Sequence, residues 1–115
     1  MENNQNPVQS IILELRRGVL AIAVLSQLEE EQYGYSLLKR LSDQGLAIDQ
    51  GTLYPLMRRL ESQGLLRSDW RIMDESRPRR YYLISSQGKS ALADLKKEWS
   101  NTVATLNHLL SKGKE

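Results

Sequence analysis

Between Ser85 and about Leu110 the sequence carries an unbroken helical stripe. Leu92, Leu95, Trp99, Thr102, Leu106 and Leu109 recur at alternating spacings of three and four. This is an a/d seam, the pattern that lays one apolar line along a helix and against a second helix. Ser85 precedes it as a suitable N-cap. A chain of 115 residues builds too small a core to cover a stripe of this length. The seam therefore asks for a partner, and a second copy of the chain is the simplest one. Leu92, Leu95, Trp99, Leu106 and Leu109 are the expected dimer contacts.

Upstream, the pattern changes several times. Asn6 and Pro7 read as an N-cap followed by proline at the first helical position. From Val8 to about Glu30, apolar residues at Ile11, Ile12, Leu15, Val19 and Ile22 keep helical spacing. The stretch Val19–Leu25 is apolar nearly all round and is expected to be buried on several sides. Glu29–Gln32 forms a polar break. A second helix follows over about Gly34–Gln44, with Leu37, Leu38 and Leu41 inward and Gly45 as its stop. The third covers about Gln50–Gln63, with Leu53 and Leu60 inward, and closes at Gly64.

Leu65–Arg71 and Arg79–Ile84 alternate as strands do, on either side of the turn-rich Ile72–Pro78. Three helices followed by a hairpin make the winged helix-turn-helix order. The expected fold is mainly α with a small β-hairpin: a winged helix-turn-helix plus a long C-terminal dimerisation helix. Its expected divisions are a flexible tail at 1–7, the winged-helix domain at 8–84, the dimerisation helix at 85–110 and a flexible tail at 111–115. The start of the third helix stays open. Pro55 in a full helix interior costs about 3 kcal/mol. Either Thr52 is the N-cap and Pro55 sits in the first turn, or Asp49 is the cap with an Ile48–Leu53 hydrophobic staple.

Composition removes whole classes of chemistry. There is no cysteine, so disulfides and thiolate metal sites are excluded. The single histidine, His108, has no candidate ligand neighbours, and no metal or cofactor is expected. The longest apolar run, Val19–Leu25, falls well short of the ~20 residues of a membrane span. The polar stretch Met1–Pro7 lacks the basic start of a signal peptide, and a cytoplasmic location is expected. Ser86 and Lys89 match a Ser-x-x-Lys spacing without its companion motifs. Gly88-Lys89-Ser90 lacks the earlier glycine of a phosphate loop, where Leu83 stands instead. No enzyme is expected.

The net charge is only +2, so a nucleic-acid partner requires positive charge concentrated in one place. It is concentrated. The third helix carries Gln50, Thr52, Tyr54, Arg58, Arg59 and Ser62 opposite its leucines, and the hairpin adds Arg67, Arg71, Arg77, Arg79 and Arg80. From Arg58 to Tyr82 there are seven arginines, no lysine and four acids. Guanidinium pairs bidentately with phosphate, so an arginine-only surplus favours a duplex partner over mere solubility. The rival is a winged-helix module for protein–protein contact without DNA binding, which has no need of Arg58 and Arg59 on that face.

Gly51-Thr52-Leu53-Tyr54-Pro55, Arg59-Leu60-Glu61, Gly64-Leu65-Leu66 and Arg79-Arg80-Tyr81-Tyr82, with Gly34-Tyr35 ahead, resemble the PadR family of bacterial transcriptional regulators. The resemblance runs from about Leu15 to Trp99. The single C-terminal helix looks like the family's compact subgroup. What the resemblance implies is a homodimer, joined through the first and last helices, that represses transcription from an inverted-repeat double-stranded DNA operator. It places Thr52, Tyr54 and Arg58, with Arg59 beside them, on the base- or phosphate-facing side of the recognition helix. Tyr35, Ser36 and Lys39 become backbone contacts, and Arg77, Arg79 and Arg80 the wing.

Adjacent strand residues face opposite sides, so at most one of Tyr81 and Tyr82 approaches DNA. The family's Gly-Pro-rich wing is replaced by Met73-Asp74-Glu75-Ser76, whose two acids weaken close insertion. The resemblance also implies a small hydrophobic or aromatic effector held between two copies of Trp99, near Leu15 and Val19. The bland alternative for Trp99 is packing of the dimer seam alone.

Overall fold

In the computed structural model of the chain, residues 6–72 and 77–112 are described. The expected tail residues 1–5 and 113–115, and the wing residues Met73–Ser76, lie outside them. Asn6 Oδ1 accepts a hydrogen bond from the Gln9 N–H at 2.8 Å and Pro7 takes the first helical position, so helix α1 spans Pro7–Gln27. Helix α2 spans Gly34–Asp43, α3 spans Gln50–Ser62 and α4 spans Ser86–Lys112. Among the described residues no helix is long and apolar enough to cross a membrane.

The two short stops are built alike. After α2, the Leu46 N–H reaches the Leu41 carbonyl at 2.8 Å and the Gly45 N–H reaches Ser42. After α3, the Leu65 N–H reaches the Leu60 carbonyl at 2.9 Å and the Gly64 N–H reaches Glu61. Both are Schellman closures, and they need a left-handed residue that glycine supplies without a side-chain clash. Gly45 and Gly64 have φ of 102° and 83°.

Asp49 caps α3 through its backbone, its carbonyl accepting from the Thr52 and Leu53 N–H groups at 3.1 and 3.0 Å. Of the two starts open from sequence, the fold adopts this one. Ile48 packs on the core and Leu53 is fully buried, as a staple requires. Pro55 therefore lies past the first turn, and its missing N–H leaves the Gly51 carbonyl without its helical donor. Gly51 is exposed, which gives that carbonyl access to water.

Strands β1 (Gln32–Tyr33), β2 (Leu66–Arg71) and β3 (Arg79–Ile84) form one antiparallel sheet in the order β1-β3-β2. The hairpin is the expected one, with Leu66 opposite Ile84 and Trp70 opposite Arg80. β1 is not expected from the sequence, which reads as a polar break there. Gln32 pairs with Tyr82 and Tyr33 with Tyr81. Gln32 is buried, and its amide donates to the Gln27 carbonyl at the end of α1, at 2.8 Å.

The core is chiefly leucine: Leu25 of α1, Leu28 at its C-cap, Leu37 of α2 and Leu53 of α3 are fully enclosed. α4 joins it. Ser85 Oγ accepts from the Gly88 N–H at 3.0 Å and donates to the Gly64 carbonyl at 2.6 Å, so the helix is capped and tied to the α3–β2 turn at once. This corrects the reading of the stripe. Leu92 is only 3% exposed within the chain's own core and Leu95 packs against that core. Leu92 is therefore taken up by the chain's own core, Leu95 is shared between that core and the surface, and the seam is fully open from Trp99. The physical reason is length: α4 spends its first turns covering α1 and β3.

Candidate nucleic-acid interface

α2, α3 and the hairpin meet around a shallow groove of about 360 Å³, walled by Tyr35, Tyr54, Arg58, Trp70, Arg79 and Arg80. Five of these six are residues singled out from sequence. The seat of Tyr54 in this groove depends on Gly34 having no side chain. A Cβ there would lie 2.8 Å from the ring edge of Tyr54, so the bare glycine lets the phenol lie against the start of α2. Burial pushes the Tyr54 phenol above its ordinary pKa, with Tyr35 and Tyr33 adding to the rise. At neutral pH its hydroxyl is a hydrogen-bond donor, the form suited to a phosphate oxygen.

Arg58 and Arg59 lie exposed on α3, and among the described residues neither has a carboxylate partner. Tyr35 is 54% exposed at the groove's edge. Arg79 is exposed on the hairpin, its guanidinium 4.4 Å from the centroid of the Tyr33 ring. Arg77 is exposed next to it. A cation over an aromatic face stays charged while losing freedom.

Other expected residues fall elsewhere. Ser36 Oγ donates to the Tyr33 carbonyl at 3.1 Å and closes the start of α2. Lys39 is on the far flank of α2, 3.8 Å from Asp43, with both side chains well exposed. Such a pair is worth little and leaves the ammonium available. Thr52 faces a separate cleft, beside Asp49, Arg16 and Arg17. Arg80 turns toward α3 and not outward, pairing with Glu61 at 3.0 Å. Between the two tyrosines the outcome is clear. Tyr82 is buried against the core, whereas Tyr81 stacks edge-on against Tyr33 on the outer face, centroids 5.5 Å apart.

With this geometry in view, the family model described as the transcriptional regulator PadR-like family matches residues 22–94. The chain belongs to the PadR family. It is similar to a PadR-family transcriptional regulator of Eggerthella lenta DSM 2243, at 50% identity and a TM-score of 0.85 over 90% of this chain and 91% of that one. A PadR-like transcription factor from Bacteroides fragilis aligns at 31% identity and a TM-score of 0.73, over 87% of this chain and 98% of that one. A transcriptional regulator of Mycobacterium tuberculosis is 37% identical over 82 residues, 70% of this chain and 76% of that protein. Like them, this PadR-family chain is a transcriptional regulator and not an enzyme.

In this PadR-family regulator the groove includes two residues that sequence reasoning missed, Tyr33 and Trp70. Tyr33 sits beside the polar break, and nothing in the pattern marks it. Trp70 was legible. Alternation along β2 from buried Leu66 puts Ser68 and Trp70 on the same face, toward α3, and an indole 65% exposed there is an unusual use of a tryptophan. The expected effector residues lie on the open flank of α1 and α4: Trp99 and Leu15 are exposed and Val19 half-buried.

Proposed function

We propose that this regulator works as a homodimer that inserts two copies of α3 into successive major grooves of an inverted-repeat operator and represses transcription. The observation that carries the proposal is the pair of open apolar flanks. Val8, Ile11 and Leu15 on α1, with Trp99, Leu106, Leu109 and Leu110 on α4, are 45% to 66% exposed. At about 25 cal/mol per Å² of apolar surface removed from water, a flank of this extent strongly favours association. Two-fold pairing along it sets the two arginine-bearing helices on one side of a duplex, where the half-site repeat is ~34 Å.

In this reading Arg58 reaches base edges, while Arg59, Tyr35, Tyr54 and Lys39 meet phosphates of the flanking backbone. Arg77 and Arg79 add contacts from the wing. The protein acts in the cytoplasm, where that DNA lies. A flat apolar effector between two copies of Trp99, close to Leu15 and Val19, releases the operator by favouring a different subunit separation. Equal affinity for both arrangements shifts nothing.

The decisive experiment joins sedimentation with fluorescence anisotropy on duplex from the gene's own upstream region. The expected result is a dimer at micromolar concentration whose preference for that duplex over random DNA weakens steeply with salt. A monomer, or equal binding to every duplex at low salt, overturns the proposal.

A further inference from the structure

Arg80 occupies the strand that sequence assigns to DNA contact, yet its guanidinium is already engaged. Its Nη2 donates to Glu61 Oε1 at 3.0 Å and its Nε donates to Ser68 Oγ at 2.9 Å. The Ser68 hydroxyl in turn donates to Glu61 Oε2 at 2.6 Å. The three residues come from β3, α3 and β2, and their bonds close a ring. The Arg80 and Glu61 side chains are 36% and 25% exposed, so the ring is partly sheltered from water. Trp70 and Tyr82 flank the guanidinium, their ring centroids 5.6 and 5.7 Å away.

We propose that Arg80 is a positioning residue and not a DNA contact: the Arg80–Glu61–Ser68 ring locks the hairpin to the recognition helix. The inference rests on the DNA-binding reading above. Glu61 lies one turn beyond Arg58 on α3, so the ring fixes the hairpin relative to the helix's own exposed cation. On the outer face, Arg71 forms a two-pronged bond with Glu31 ahead of β1. The hairpin is thereby anchored on both sides, and Arg77 and Arg79 are the wing cations left to approach the duplex. For Arg80 to reach a phosphate, it has to break both of its bonds and bare a half-buried carboxylate, which is costly.

The two roles predict opposite signs for Glu61→Gln. If Arg80 positions the wing, loss of the charge loosens the hairpin and operator affinity falls about two- to fivefold, the usual worth of a half-exposed pair. If Arg80 contacts DNA, the same change frees an arginine, removes a repelling carboxylate and raises affinity. Salt dependence gives a second reading. Arg80→Ala leaves the slope of log K against log salt at the parent value, whereas Arg79→Ala lowers it by about 0.9, one phosphate contact.

Parent-like or tighter binding by Glu61→Gln overturns the inference, as does a slope loss in Arg80→Ala equal to that in Arg79→Ala. Should Arg80→Ala fail to fold, the sign of the Glu61→Gln effect decides alone. Failure of the parent to bind any duplex removes the DNA-binding reading itself, and shows before any variant is made.

Discussion

Gly88, in the first turn of α4, lies directly on the backbone of Leu65, the residue that follows the Gly64 turn. A Cβ built on Gly88 would stand 2.1 Å from the Leu65 carbonyl oxygen and 2.7 Å from Ile84 Cγ1. That oxygen is backbone, and it already accepts a hydrogen bond from the Ser85 N–H at 3.1 Å. Neither neighbour can yield cheaply.

Gly88→Ala is therefore expected to cost about 3 kcal/mol or more, in the range of severe steric insertions. Gly18→Ala is the control: nothing lies within 4 Å of its added carbon, and the substitution stabilises α1 by roughly 0.5–1 kcal/mol. Urea unfolding of the two variants checks both signs. Equal stability of the two contradicts the close approach at Gly88.

Gly34→Ala drives a methyl group into the Tyr54 ring. A flexible ring edge yields more easily than backbone, so the fold survives with a loss of about 1 kcal/mol. Duplex affinity falls further than stability, because the displaced phenol stands among Tyr35 and Arg58. Comparison with Tyr54→Phe, which keeps the ring and removes only the hydroxyl, separates position from hydrogen bonding. Unchanged anisotropy titrations in both variants place Tyr54 outside the interface.

Arg58→Ala is expected to cost about 1–3 kcal/mol on operator DNA and less on random duplex, narrowing the preference between them. Arg79→Ala weakens both duplexes together and flattens the salt dependence. Competition titrations with the two DNAs distinguish these patterns, and identical profiles for the two variants contradict the assignment.

The tyrosines give an alkaline limit to stability. Burial raises Tyr54 and Tyr82 above the ordinary 10.0, the folded chain holding these protons more tightly than the unfolded one. Their contribution is complete below the unfolded pKa and is lost as pH rises through the folded value. Unfolding free energy is therefore flat approaching pH 10.0 on this account and declines above it. Tyr82→Phe softens that decline, as denaturant midpoints across the alkaline range would reveal.

Much of this was legible in the chain. Asn6-Pro7, Gly45 and Gly64 announced helix ends because each ending has one local solution, and alternation from Leu65 to Arg71 announced the hairpin. What was hidden depends on distant partners. β1 is two residues long and includes a buried glutamine, Gln32, whose polarity is satisfied by the end of α1. Local pattern carries no trace of that bond. Leu92 and Trp99 stand on the same stripe, yet only the packing of the first turns of α4 reveals that one serves the core and the other is open. Arg80 and Arg79 are adjacent identical residues, and strand pleating alone sends one to Glu61 and the other over Tyr33.

The unequal burial along α4 turns that helix into a lever. Its root, from Ser86 to Leu92, is welded into the winged body through Leu92 and the Gly88–Leu65 contact. Its arm extends past Trp99 to Lys112, and at ~1.5 Å per residue the whole rod measures roughly 40 Å. In the proposed dimer, a tilt of that arm is carried into the winged body rooted on it, and with it into the position of Arg58.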